Sequence, residues 1–233
     1  MAKSNAKAGS QEMTEVLNQS EAFIKKYKKV LLAVLIAIVV IIVGFIVYKN
    51  VKASRSEEAA TALAKVQELF AQQQYEKALK GEGAAVPGLI QLASDYSGTP
   101  SGNVANYYAG LCYAKMNKWQ EAVKYLEEFD TQDDLVPSPL SQVALGDAYA
   151  NLKQYDKAVD AYRKGVKLAD KAAEGGISYS VSPLALKKAG IILNEQGKKD
   201  EALKVFKEIK EKYINAPIVA SGQIDEFIEL VTK

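Results

Sequence analysis

The chain has 233 residues, 48% of them hydrophobic and 25% charged, with six prolines, which excludes a disordered or fibrous polymer and leaves room for one or two domains. Its net charge of +2 is unevenly divided: residues 1–53 hold eight lysines against three acidic residues, whereas 54–233 hold 22 Lys and Arg against 25 Asp and Glu, so the larger part lacks the basic footprint that nucleic-acid phosphates require. There is no histidine, which removes the commonest general base and the commonest metal ligand together, and the single cysteine, Cys112, cannot form an intrachain disulfide.

Residues 1–29 form an N-terminal segment expected on the cytoplasmic side, in which Val16, Leu17 and Phe23 give the stretch before the apolar run an amphipathic, interfacial character. Val30 to Val47 are 18 consecutive apolar residues without a polar stripe, and with Tyr48 they predict a transmembrane helix over 30–48, with Tyr27 and Tyr48 at its two edges. A cleavable signal peptide ending near Val51-Lys52-Ala53 is the competing reading, but the run exceeds the usual apolar region of about 7–15 residues. Lys25, Lys26, Lys28 and Lys29 precede the run, and Lys49, Lys52 and Arg55 follow it, a bias that favours the N-terminus inside and the rest of the chain outside the cytoplasm.

After a juxtamembrane stalk at 49–57, residues 58–102 read as an atypical N-terminal helical unit, with Leu63, Val66, Leu69 and Phe70 on one face. Glycines at 81, 83 and 88 and Pro87 then punctuate the chain. Three pairs of helical stretches follow, 104–116 with 119–129, 139–152 with 155–169, and 183–196 with 199–213, each joined by two residues and therefore antiparallel. The phrase NKWQEAVKYL at 117–126 returns as KQYDKAVDAY at 153–162 and GKKDEALKVF at 197–206, with a fainter copy, QQYEKALK, at 73–80. Its central alanines, Ala78, Ala122, Ala158 and Ala202, are spaced 44, 36 and 44 residues apart, a period that signals stacked supersecondary units. Gly110, Gly146 and Gly190 each precede the alanine by 12 residues. Glycine inside a helix costs about 1 kcal/mol relative to alanine, so three matched glycines imply close helix approach, with Tyr113, Tyr149, Leu193, Leu126, Tyr162 and Phe206 filling the layers between. Residues 214–231 add an amphipathic helix with Ile224, Phe227, Ile228 and Val231 on its apolar face.

The Gly110/Tyr113/Ala122, Gly146/Tyr149/Tyr155/Ala158/Tyr162 and Gly190/Gly197/Ala202/Phe206 sets resemble tetratricopeptide repeats. Insertions over a minimal repeat of about 34 residues are carried by DTQDDLVPSP and DKAAEGGISYSVS. The expected fold is all-α: one transmembrane helix, then an α-solenoid of hairpins over 103–233 with a C-terminal capping helix. The layout also resembles bacterial envelope proteins of the YfgM type, which are associated with the Sec translocon and periplasmic chaperones. That resemblance implies a single-pass inner-membrane protein with a periplasmic repeat domain, touching the bilayer through 30–48 and other envelope or secretion proteins through the repeats.

Signals for chemistry are weak. Asp130, Asp133 and Asp134 lack the glycine and terminal glutamate of a calcium loop, GEGAAV at 81–86 lacks a third glycine, and neither a nucleophile elbow nor a CxxC occurs. The chain is expected to be no enzyme and to use no cofactor, metal, small-molecule substrate or nucleic acid. By resemblance to the repeat family, the partner-binding groove on the first helices would include Val104, Tyr107, Leu111, Val143, Asp147, Lys187 and Asn194. A cytosol-facing docking or import receptor on a membrane is the alternative that keeps the fold and inverts the orientation.

Overall fold

The computed structural model describes residues 2–83 and 86–233, with side chains from residue 25 onward except Leu31, 48–53 and Arg55. The interfacial faces expected of Val16, Leu17, Phe23 and Tyr48 lie outside the described side chains. Helix α1 runs Ala2–Ala71, and the first proline of the chain is Pro87, so no residue before it forbids helical continuation. Two compact units divide the chain at Ser54. In the first, Lys25–Val47 is long and apolar enough to cross a membrane by length and composition, and each described side chain along it is exposed.

The second unit, residues 55–233, is an array of helical hairpins: the end of α1, then α2 (Tyr75–Lys80), α3 (Leu89–Asp95), α4 (Pro100–Lys115), α5 (Trp119–Glu127), α6 (Pro137–Asn151), α7 (Tyr155–Ala172), α8 (Val181–Glu195), α9 (Lys199–Lys212), α10 (Pro217–Ala220) and α11 (Gln223–Thr232). Prolines sit in the first turns of α4, α6 and α8, where a missing N–H costs nothing, so they mark where each hairpin's first arm begins. Helices pack in chain order, α4 on α5, α6 on α7 and α8 on α9, with α5 on α6 and α7 on α8 joining the hairpins. Among the described residues the only β feature is an isolated bridge between Gly81 and Pro87.

One turn geometry closes all four hairpins. Gln73, Asn117, Lys153 and Gly197 have φ of 60°, 57°, 59° and 75°. The N–H of the next residue donates back to the carbonyl five residues earlier, Gln74 to Leu69, Lys118 to Tyr113, Gln154 to Tyr149 and Lys198 to Leu193, each at 2.9 Å. This is the bond that satisfies the orphan carbonyls of a helix end through a left-handed residue. Its presence at Gln73 makes the end of α1 and α2 a hairpin of the same kind as the rest.

The second arm of that first hairpin is interrupted as the glycines foretell. Helix α2 stops at Gly81, but the N–H of Glu82 donates to Val86 at 2.9 Å and the chain returns beside its point of departure. A β-carbon on Gly88 would lie 2.2 Å from the Leu79 carbonyl oxygen, and one on Gly81 would lie 2.3 Å from that of Val86, so only glycine fits at both ends of the loop. Helix α3 then resumes the packing against α4.

The three helical glycines each face a large side chain of the second arm: Gly110 meets Leu126, Gly146 meets Tyr162 and Gly190 meets Phe206. Two clusters of buried residues result, a small one around Val66, Leu89, Leu92 and Cys112, and a larger one from Tyr107 to Val231. Helix α11 closes the array on α9, burying Ile224 and Val231 and setting Phe227 5.3 Å from Phe206, ring centre to ring centre. Part of the insertion before α8 lengthens α7, and the remainder forms a short 3-10 turn at Glu174–Gly176. Asp170 pins that turn, accepting bonds from the Ser178 N–H (3.0 Å), Ser182 Oγ (2.6 Å), Lys212 Nζ (2.7 Å) and the Tyr213 hydroxyl (2.8 Å).

Candidate functional site

First arms of successive hairpins lie side by side, α4 touching α6 and α6 touching α8. Offsetting by the repeat spacing aligns four ridges along them: Val104, Tyr108, Leu111 and Lys115 on α4; Leu140, Ala144, Asp147 and Asn151 on α6; Leu184, Lys188, Ile191 and Glu195 on α8; and Ala60, Ala64, Gln67 and Ala71 on α1. Steps of four, three and four residues keep each set on one helix face. None of these residues is buried, although buried positions flank them on every arm. The repeats thus leave one equivalent face half-buried or exposed on every arm.

Across the ridges the rows differ in chemistry. Ala60, Val104, Leu140 and Leu184 form an aliphatic row, with Leu184 38% exposed at its end. Further along, Lys188 on α8 donates to both carboxylate oxygens of Asp147 on α6, at 2.8 and 3.0 Å. The Tyr162 hydroxyl reaches the same carboxylate at 2.7 Å, and burial together with the neighbouring Asp147 charge pushes that phenol well above the ordinary range. The ion pair is about two-thirds shielded on both sides, and it ties the two arms together at the open face.

Of the residues anticipated for a groove, Val104, Leu111 and Asp147 stand on these ridges. Tyr107 and Val143 do not: they are 7% and 5% exposed and belong to the core, so they are packing residues. The reason is angular. They lie one residue, about 100°, from Tyr108 and Ala144, and that turn aims them between hairpins, where Tyr107 meets Phe129 at 5.6 Å. Burial and the neighbouring Tyr108 and Asp134 push the Tyr107 phenol up to about 12. Lys187 and Asn194 are half-buried beside the ridge on α8. Lys188, Ala144, Leu140, Leu184 and Ile191 complete the face. Aligning the arms by their own glycines would have found them.

Other polar groups serve the scaffold. Asp134 caps α6, its Oδ1 accepting the Val136 and Ser138 N–H at 3.1 and 2.9 Å, while Asp133 pairs with Lys171 at 2.6 Å. Asn103 holds the following loop by accepting the Asp130 N–H at 2.7 Å and donating to the Asp130 carbonyl at 2.7 Å. Cys112 is buried, which pushes its thiol up to about 12 and leaves it a small hydrophobe. Among the described residues no three His, Cys, Asp or Glu side chains converge on a point that could hold a metal ion.

Comparison with known proteins fits this architecture. A crystal structure described as nearly identical TPR-like repeats of a Podosopora anserina kinesin light chain superposes with a TM-score of 0.54 at 16% identity, covering 76% of this chain and 94% of that one. At that identity the likeness establishes the TPR-like helical repeat fold. No curated protein sequence matches the chain. A family model does, over residues 13–221: T7SS, ESX-1 secretion system protein EccA1, N-terminal domain. EccA1 is a cytosolic component of its secretion system, and this corrects the expectation that residues 58–233 lie in the periplasm. That expectation rested on four lysines before the apolar run against three cations after it, a difference too small to decide an orientation. With one model covering both the apolar helix and the repeats, the chain belongs to the family of the EccA1 N-terminal domain of type VII, ESX-1-type secretion systems.

Proposed function

We propose that this chain is a non-catalytic docking module of a type VII secretion assembly, which binds an apolar-edged segment of another secretion component across the open face of its first arms, in the cytosol. The observation that supports it is the row Ala60, Val104, Leu140 and Leu184, half-buried or exposed and aliphatic at the same position of four successive arms. An extended or helical segment laid across the arms would meet one aliphatic contact per hairpin, and the Asp147–Lys188 pair beside the row would set its register by charge. Residues 30–48 attach the module to a lipid bilayer, since a helix apolar around its whole circumference has no stable place in water. A non-catalytic role is supported by the engagement of the perturbed groups: Tyr149 bonds Glu127, Tyr162 bonds Asp147, and Asp170, Lys212 and Tyr213 bond one another between helices. Association with a Sec translocon or periplasmic chaperones is dropped with the periplasmic placement on which it depended.

Site-specific photocrosslinking in native cells tests the reading, with the probe at Ala144 or Leu184 on the face and at Lys204 on exposed α9. A secretion component captured from the first two positions and not the third, and lost on Leu140→Glu, is the expected result. Equal capture from Lys204, or capture unaffected by Leu140→Glu, would remove the face from consideration.

A further inference from the structure

Residues 22–56 contain no Asp or Glu and seven Lys and Arg, four of them at 25–29 directly before Val30. These four lysines are exposed helical residues. At about 100° and 1.5 Å per residue they fan over roughly 160° of the helix surface within about 6 Å of its axis. Tyr27 lies on the opposite side, with the Lys26 ammonium 5.3 Å from its ring centre. An amphipathic ring at that level suits the boundary between hydrocarbon and headgroups.

We propose that Lys25, Lys26, Lys28 and Lys29 form a collar that binds the phosphates of anionic lipid headgroups, a site that rests on the bilayer attachment of residues 30–48 proposed above. The collar begins one residue before the apolar run, so once that run is embedded the ammonium groups stand among the headgroups, well inside the Debye length of about 10 Å over which a negative surface attracts them. An ammonium on a flexible stem is a compact charge with three rotatable donors, which suits a fluid layer of phosphates rather than one fixed anion. A free phosphate offers the same oxygens, but four exposed lysines on one helix provide no walls to enclose it, whereas a leaflet presents many phosphates at once.

The test uses the full chain reconstituted in phosphatidylcholine vesicles with about one-fifth phosphatidylglycerol, reading the immobilised fraction of spin-labelled probes of each lipid. The expected result is a preference of about threefold or more for the phosphatidylglycerol probe, reduced to about one in the Lys25→Gln, Lys26→Gln, Lys28→Gln, Lys29→Gln variant and kept when the same four become Arg. Added inorganic phosphate should displace no more anionic lipid than chloride at equal ionic strength. Equal immobilisation of both probes by an embedded wild-type chain overturns the collar while leaving the bilayer attachment standing. Retained preference in the Gln variant, or specific displacement by phosphate, also overturns it. A chain that fails to float with the vesicles fails the attachment itself.

Discussion

The ring of Tyr162 occupies the space that a side chain on Gly146 would need: a β-carbon there would lie 2.5 Å from Cε1 and 2.6 Å from Cδ1 of the ring. The same relation joins Gly110 to Leu126 and Gly190 to Phe206, so the last three hairpins are each closed by a large side chain lying against bare backbone.

Gly146→Ala should therefore destabilise the array by about 1–3 kcal/mol, although an ordinary helical glycine gains about 1 kcal/mol from that change. Urea unfolding of the full chain in detergent, followed by circular dichroism, measures it. In a Tyr162→Ala background the same substitution should become neutral or stabilising, because the ring that opposes the β-carbon is gone.

The first hairpin reverses the requirement. Its counterpart of Gly110 is Val66, fully buried, and its counterpart of Leu126 is Glu82, an exposed residue beyond the end of α2. Val66→Gly restores the motif by letter and should still cost about 2–4 kcal/mol, from the cavity and the helical glycine together. The same urea titration reads it.

Three of the four hairpin turns hold a side-chain residue in the left-handed region where only Gly197 is strain-free. Lys153→Gly should stabilise by about 0.5–1 kcal/mol, and Gly197→Ala should destabilise by about 1–2 kcal/mol. Thermal unfolding of the two variants side by side should move in opposite directions.

Asp170 and Lys212 give the array a pH signature. Burial opposes ionisation of Asp170, but bonds from Lys212, the Ser178 N–H, Ser182 and Tyr213 hold its carboxyl below the ordinary 3.8, and the bond to Asp170 lifts Lys212 from 10.5 to about 12. A lowered acid pKa contributes stability that is whole above the unfolded value and disappears as pH falls through the folded one. A raised lysine pKa contributes stability that is whole below the unfolded value and disappears as pH rises through the folded one. The pair's contribution is thus level from about pH 5 to pH 10 and declines on either side. Asp170→Asn should cost about 2–3 kcal/mol at pH 7 by leaving donors unmatched around a buried site, and its deficit against wild type should shrink below pH 4. Denaturation midpoints across that range check both statements.

Much of this molecule follows from residue order alone. Eighteen consecutive apolar residues demand a helical stretch apolar on every side, and the repeated phrase with its glycine and its large partner demands antiparallel hairpins, because both depend only on neighbours a few residues apart; that this stretch continues without a break from Ala2 to Ala71, through the stalk expected at 49–57, is seen only in the structure. Tertiary structure decided what depends on distant neighbours. Tyr107 and Tyr108 are adjacent in the chain, yet the first is buried in the core against Phe129 while the second stays half-buried, a choice made by what packs beside each. Likewise, the closing of the 81–88 loop so that α3 resumes against α4, and the gathering of Ser178, Ser182, Lys212 and Tyr213 on Asp170, join residues up to 43 positions apart that no local period connects.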